Sequence, residues 1–219
     1  MNSKEIIAEL KSHADNACVE EMARFGINSK NTLGVSIPVL WKIGKEHKKN
    51  HALALELWNS GIHEARILAC MIENPEEVSE KQMEKWVSDF DSWDVCDQCC
   101  MRVFGKTGFA WKKTVEWSAR KEEFVKRAGF ALIAVLAVHD KKAPDKGFEK
   151  FFPIIKREAA DERNFVKKAV NWALRQIGKR NKRLNKKAIA CAKKILEKDS
   201  KAAQWVAKDA LKELQSKKF

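Results

Sequence analysis

Between Asp89 and Cys100 the chain reads DFDSWDVCDQCC, four aspartates and three cysteines around one tryptophan. Carboxylates of this kind can serve as general acids or bases, or can receive positive charge that builds up in a transition state. An indole among them adds a face that attracts cations. On a helix starting near Ser92, Trp93 and Asp97 lie one turn apart on one face, while Val95, Cys96, Cys99 and Val103 face a core. Asp91 and Asp94 sit where acids cap a helix and meet its dipole. Asp97 lies beyond the first turn and lacks that explanation. It is a candidate for receiving positive charge; the competing account has it bridging a neighbouring lysine. The cysteines raise the question of a metal. No histidine or fourth cysteine stands near them at zinc-ligand spacing, and free cysteine packs as a small hydrophobe. The expectation is therefore no metal and no cofactor.

A second set of residues falls on 164–179. A helix there buries Phe165, Val166, Ala169, Val170, Ala173, Leu174 and Ile177. Trp172 lies at the edge of that stripe, aligned with Lys168, Arg175 and Lys179 at i−4, i+3 and i+7. Cations in such a row can pair with phosphates while the ring stacks on sugar or base. The alternative is a tryptophan covered by lysine stems. Arg127 shares a helix face with Ala131, Ala134 and Val138, small residues that leave room for a ligand or backbone beside a phosphate-matching fork. Its alternative is an exposed first turn.

The charge supports a polyanion as partner. The chain of 219 residues carries +13. Residues 1–100 hold 11 Lys+Arg against 17 Asp+Glu, whereas residues 101–219 hold 32 against 13. From Arg163 to Leu196 there are 12 basic residues and no acidic one. That asymmetry is the footprint of a nucleic-acid binder, with a solvated lysine face as the other account. There is no signal-like N-terminus and no apolar run of membrane-spanning length. The expectations are a cytoplasmic monomer with reduced thiols that binds double-stranded DNA and no membrane.

The elements that must position these residues are helices. Apolar residues recur at helical spacing, nothing alternates like a strand, and the four prolines fall at edges. Ser36 with Pro38 predicts a helix start, and Ser79 with Gln82 predicts a capping box. Ten to twelve short helices are expected. FVKRAGFALIA at 124–134 is echoed by FVKKAVNWALR at 165–175, and KAVNWALRQI at 168–177 by KAAQWVAKDA at 201–210, offsets of 41 and 33. Such periods predict an all-α solenoid of HEAT-like repeats as one domain over 1–219, acidic over 1–100 and basic over 101–219; a plain bundle is the alternative.

SWDVCD, FVKRA, KKAVNWALR and LGVSIPVLWKI together resemble the motifs of the AlkD-like DNA alkylation repair family, the HEAT-like-repeat DNA glycosylases. The resemblance runs from about residue 20 to about residue 210. It implies Asp97 as the catalytic aspartate, Trp93 as its companion, and Arg127 and Trp172 as further residues of the active cleft. It also implies release of cationic N3- or N7-alkylated purines, with the lesion held by its backbone. The family's glycosylases offer a tyrosine near the N-terminus. This chain has no tyrosine, and Phe25 stands in that place, so a ring is kept and a phenolic hydrogen bond is lost. The functional alternatives are a non-catalytic binder of damaged or branched DNA on the same scaffold, and a protein–protein adaptor.

Overall fold

A computed structural model describes all of residues 1–219. The secondary structure is entirely helical, as the spacing of apolar residues predicts. There are fourteen α-helices, more than expected, partly because a short helix at Asp145–Glu149 precedes a separate one at Phe151–Glu158. Contacts divide the chain into Met1–Thr107 and Gly108–Phe219. This division falls close to the charge break: the first unit holds 13 Lys+Arg against 17 Asp+Glu, and the second 30 against 13.

The first unit comprises α1 (Ser3–Ser12), α2 (Asn16–Arg24), α3 (Ile37–Lys45), α4 (His51–Asn59), α5 (His63–Ile72), α6 (Glu80–Ser88) and α7 (Trp93–Arg102). Its core is organised by Trp58 and Trp86, stacked with ring centroids 4.0 Å apart and planes within 3°. Phe90 and Phe104 pack around them. Cys96, Cys99 and Cys100 are fully buried in this unit, and burial pushes the Cys99 thiol well above its ordinary range, aided by Cys70. They fill space as small apolar groups.

The helix starts differ in detail from the sequence expectations. Ser79 accepts from Gln82 N at 3.1 Å, but the Gln82 amide turns away and donates to Glu73 Oε2 at 2.8 Å, so the capping box is only half formed. Ser36 and Ser92 occupy N-cap positions without a side-chain cap bond. At α7 the backbone N–H of Val95 is instead satisfied by Asp94 Oδ1 at 2.9 Å. Pro38 stands in the first turn of α3, where its missing N–H is no loss.

The second unit comprises α8 (Ala110–Ser118), α9 (Glu123–His139), α10 (Asp145–Glu149), α11 (Phe151–Glu158), α12 (Asn164–Gly178), α13 (Lys182–Leu196) and α14 (Lys201–Ser216). Helix α9 is buried almost all round, as its near-continuous apolar sequence requires. Gly129 permits its close approach to α8, since a Cβ there would lie 2.4 Å from Ser118 N. The two echoed segments at offset 41 lie on α9 and α12, which pack together and bring Phe124 and Phe165 to 5.5 Å between ring centroids. The predicted stripe on α12 is buried except for Phe165, which is half-buried at the start of the helix.

Candidate nucleic-acid site

The four aspartates of the opening stretch have four separate positions in the first unit. Asp89 Oδ2 accepts from Trp58 Nε1 at 2.9 Å, anchoring the stacked tryptophan pair. Asp91 Oδ2 accepts from Asn28 Nδ2 at 2.8 Å, tying the segment after α2 to the start of α7. Asp94 Oδ2 meets His63 Nε2 at 2.8 Å, joining the first turns of α5 and α7. Asp97, half-buried, lines a cleft of about 520 Å³ together with Trp93, Phe25, Ile37 and His63.

The walls of this cleft are held by interactions that no sequence motif announced. Glu64 is buried, and its carboxylate accepts from the backbone N–H groups of Leu33, Gly34 and Val35 at 2.7–3.3 Å. Three converging backbone donors make a fixed anion cradle, here filled by the protein's own side chain. Gly34 has φ +80°, and a Cβ on it would fall 2.1 Å from Asp15 O. The LGV stretch is thus a backbone device that brings α3 to the cleft. Trp93 is fixed by its own N–H, which donates to Phe25 O at 3.1 Å. That bond uses the Phe25 backbone, and the residue as a whole is 65% exposed at the rim of the cleft.

The His63–Asp94 pair forms part of the same wall. Burial disfavours the charged imidazole of His63, but the hydrogen bond and charge of Asp94 outweigh it and raise the pKa above the ordinary value. Burial likewise opposes ionisation of Asp94, yet His63 holds its carboxyl below the usual range. Glu64 and Asp94 therefore face structural partners. Asp97 stands one turn from Trp93 on the cleft wall. Along α3, one turn past Ile37, an exposed Trp41 carries the guanidinium of Arg102 at 4.4 Å from its ring centroid.

In the second unit Arg127 is buried at 6% exposure, and its Nη1 donates to Phe165 O at 2.7 Å, so the exposed-first-turn alternative does not hold. Trp172 is half-buried, and the Gln176 amide oxygen, in the orientation that satisfies its neighbours, accepts from Trp172 Nε1 at 3.1 Å and Lys179 Nζ at 3.0 Å. Lys168 is exposed. Arg175 and Lys179 share Glu213 of α14, at 2.6 and 2.7 Å. Burial works against the Glu213 charge, but Lys179 and Arg175 hold its carboxyl below the usual range. Sequence reasoning missed this acid because it lies on a different helix, more than thirty residues further along.

No helix is long and apolar enough to cross a membrane. The model of the family described as DNA alkylation repair enzyme matches residues 6–214. A solved structure described as a new family of proteins related to the HEAT-like repeat DNA glycosylases with affinity for branched DNA structures superposes with TM-score 0.80 at 21% identity, covering 95% of this chain and 94% of its own. The fold is therefore HEAT-like, in preference to a plain bundle. An engineered protein superposes with TM-score 0.39 at 14% identity over 99% of this chain and 100% of its own, a likeness too weak to carry an argument. No curated relative matches at a significant level. With its ordered motifs and a family match over nearly its whole length, the chain belongs to the DNA alkylation repair enzyme family.

Proposed function

We propose that the protein binds DNA and hydrolyses the N-glycosidic bond of cationic N3- or N7-alkylated purines. The observation that supports this reading best is Asp97 one helical turn from Trp93 on the wall of one cleft. An alkylated purine of this kind already carries positive charge, so it can leave without a protonating acid. As the bond from C1′ to the base nitrogen lengthens, the positive charge passes to the deoxyribose and the base departs neutral. The Asp97 carboxylate stabilises that oxocarbenium ion and orients a water whose oxygen bonds to C1′, with the water's proton passing to the carboxylate and then to solvent. The Trp93 indole offers its face to the cationic sugar or lesion. Phe25 supplies a ring at the rim. Trp172 and the Lys168–Arg175–Lys179 row are assigned to DNA contact in the second unit, with the lysines and the arginine of that row on phosphates, while the buried Arg127 holds the Phe165 carbonyl. Incubating the protein with methylated duplex DNA and separating the released bases by chromatography tests the reading: free alkylpurine is the expected product, and none from any cationic purine would overturn it.

A second reading is a non-catalytic binder of branched DNA. Two observations favour it: Phe25 lacks the hydroxyl of a tyrosine in that place, and the fold likeness is to a protein described as having affinity for branched DNA. Tighter binding to a four-way junction than to duplex, without base release, distinguishes it.

A further inference from the structure

The echo at offset 33 between α12 and α14 extends to the side chains around the tryptophan. Trp205 stands where Trp172 stands, and Lys201, Lys208 and Lys212 lie at i−4, i+3 and i+7 from it. These are the offsets of Lys168, Arg175 and Lys179 around Trp172. The two rows differ in what their charges meet. On α12, Arg175 and Lys179 are both engaged by Glu213. On α14, Lys201, Lys208 and Lys212 are exposed, and none joins an ion pair. Trp205 is 40% exposed in the middle of their row. The opposite face of the helix, with Ala203, Val206, Ala207, Ala210 and Leu214, is buried, so amphipathicity fixes which side the row presents to solvent. Lys167 of α12 adds a further ammonium 5.5 Å from the Trp205 ring centroid.

Lysines alone would serve solubility. A large indole left in water among four cations serves solubility poorly, since its ring gains most when covered. A partner that alternates anionic groups with flat rings matches both features, and a nucleic-acid strand is built that way. From Lys201 to Lys212 the row spans about 16 Å at the α-helical rise. That corresponds to about five phosphates of one strand at its rise of roughly 3.4 Å.

We propose that the exposed face of α14 is a second DNA-contact surface, with Lys167, Lys201, Lys208 and Lys212 on backbone phosphates and the Trp205 ring against a sugar or an unstacked base. It rests on DNA as the partner and not on base excision. The test is fluorescence anisotropy with undamaged labelled duplex and labelled oligothymidine over a series of salt concentrations. The triple variant Lys201→Ala, Lys208→Ala, Lys212→Ala should bind duplex with a log–log salt slope shallower by roughly two to three. The variant Trp205→Ala should bind the single strand about tenfold more weakly, and Trp205→Phe should restore most of the loss. All replaced positions are exposed, and far-UV circular dichroism of each variant should match the parent. A folded triple variant with the parental slope overturns this surface alone, while a parent that binds no DNA overturns it together with the DNA-binding reading. A parent that binds DNA but releases no base fails the proposed chemistry and leaves this surface standing.

Discussion

The indole N–H of Trp93 is 3.1 Å from the carbonyl oxygen of Phe25, joining the start of α7 to the end of α2 across the rim of the cleft. Because the acceptor is backbone, the Phe25 side chain can change without releasing Trp93. Phe25→Ala should alter thermal stability by no more than about 0.5 kcal/mol, as for an exposed position. DNA affinity or base release should fall if the ring contacts the substrate. Phe25→Tyr restores a phenolic hydrogen bond at the rim, and base release by this variant should equal or exceed the parent's. A large loss of stability in Phe25→Ala would contradict the assignment of the ring to the rim.

The cradle at residues 33–35 should be intolerant of change. Gly34→Ala puts a Cβ against Asp15 O and forces an L side chain into positive φ. It should destabilise the protein by more than about 2 kcal/mol in chemical denaturation. Glu64→Gln keeps the size but removes the charge that three backbone donors share, and should cost about 1.5–3 kcal/mol. Parental unfolding midpoints for both would show that the cradle does not hold α3 in place.

Stability should depend on pH through His63 and Asp94. The His63 pKa is raised in the fold from its ordinary value of 6.5, so its contribution is complete below that value and is lost as pH rises through the folded pKa. The Asp94 pKa is lowered from 3.8, so its contribution is present above that value and is lost as pH falls through the folded pKa. The pair is therefore strongest between these two ordinary values. Asp94→Asn should lower stability most near pH 5, by about 1–3 kcal/mol, and progressively less toward pH 9. Thermal unfolding of parent and variant across that range checks it, and a difference independent of pH would contradict the pairing.

Glu213 should act as a brake on DNA binding by the α12 row. Glu213→Gln removes the carboxylate that Arg175 and Lys179 share, leaving both for phosphates. Duplex affinity should rise several-fold, and the salt slope should steepen by up to about two. All three side chains are about one-third exposed, so the stability lost should stay below about 1 kcal/mol. Weaker duplex binding by this variant would place the DNA contact of the second unit elsewhere.

The helices were legible because their apolar residues recur with the helical period, and α12 shows this well: all but one of its predicted core residues are buried. The single exception, Phe165, stands in the first turn, where a helix face is only partly covered. Trp93 and Asp97 could be paired from their spacing, because a separation of four on a helix fixes a shared face. What spacing cannot supply is a partner from another helix. Asp94 looked like a cap, and it does satisfy Val95 N, but its stronger tie is to His63 on α5. Glu64 and Glu213 carry no motif, since each finds its partners only once separate segments fold together. Arg127 looked like an open phosphate fork, yet it is buried and one of its donors holds the Phe165 carbonyl. The repeat at offset 33 was visible in sequence, but which of its two cationic rows stays solvent-facing depends on where Glu213 comes to rest.

The most direct test of the proposed chemistry compares Asp97→Asn with the parent in single-turnover release of alkylpurine from methylated duplex. The substitution keeps the shape of the side chain and removes the charge that would face the oxocarbenium ion. Loss of such a contact typically costs about 3 kcal/mol, so release should slow on the order of a hundredfold. Duplex affinity should be retained or increased, because a negative charge is removed. Release at the parental rate by Asp97→Asn would contradict the account.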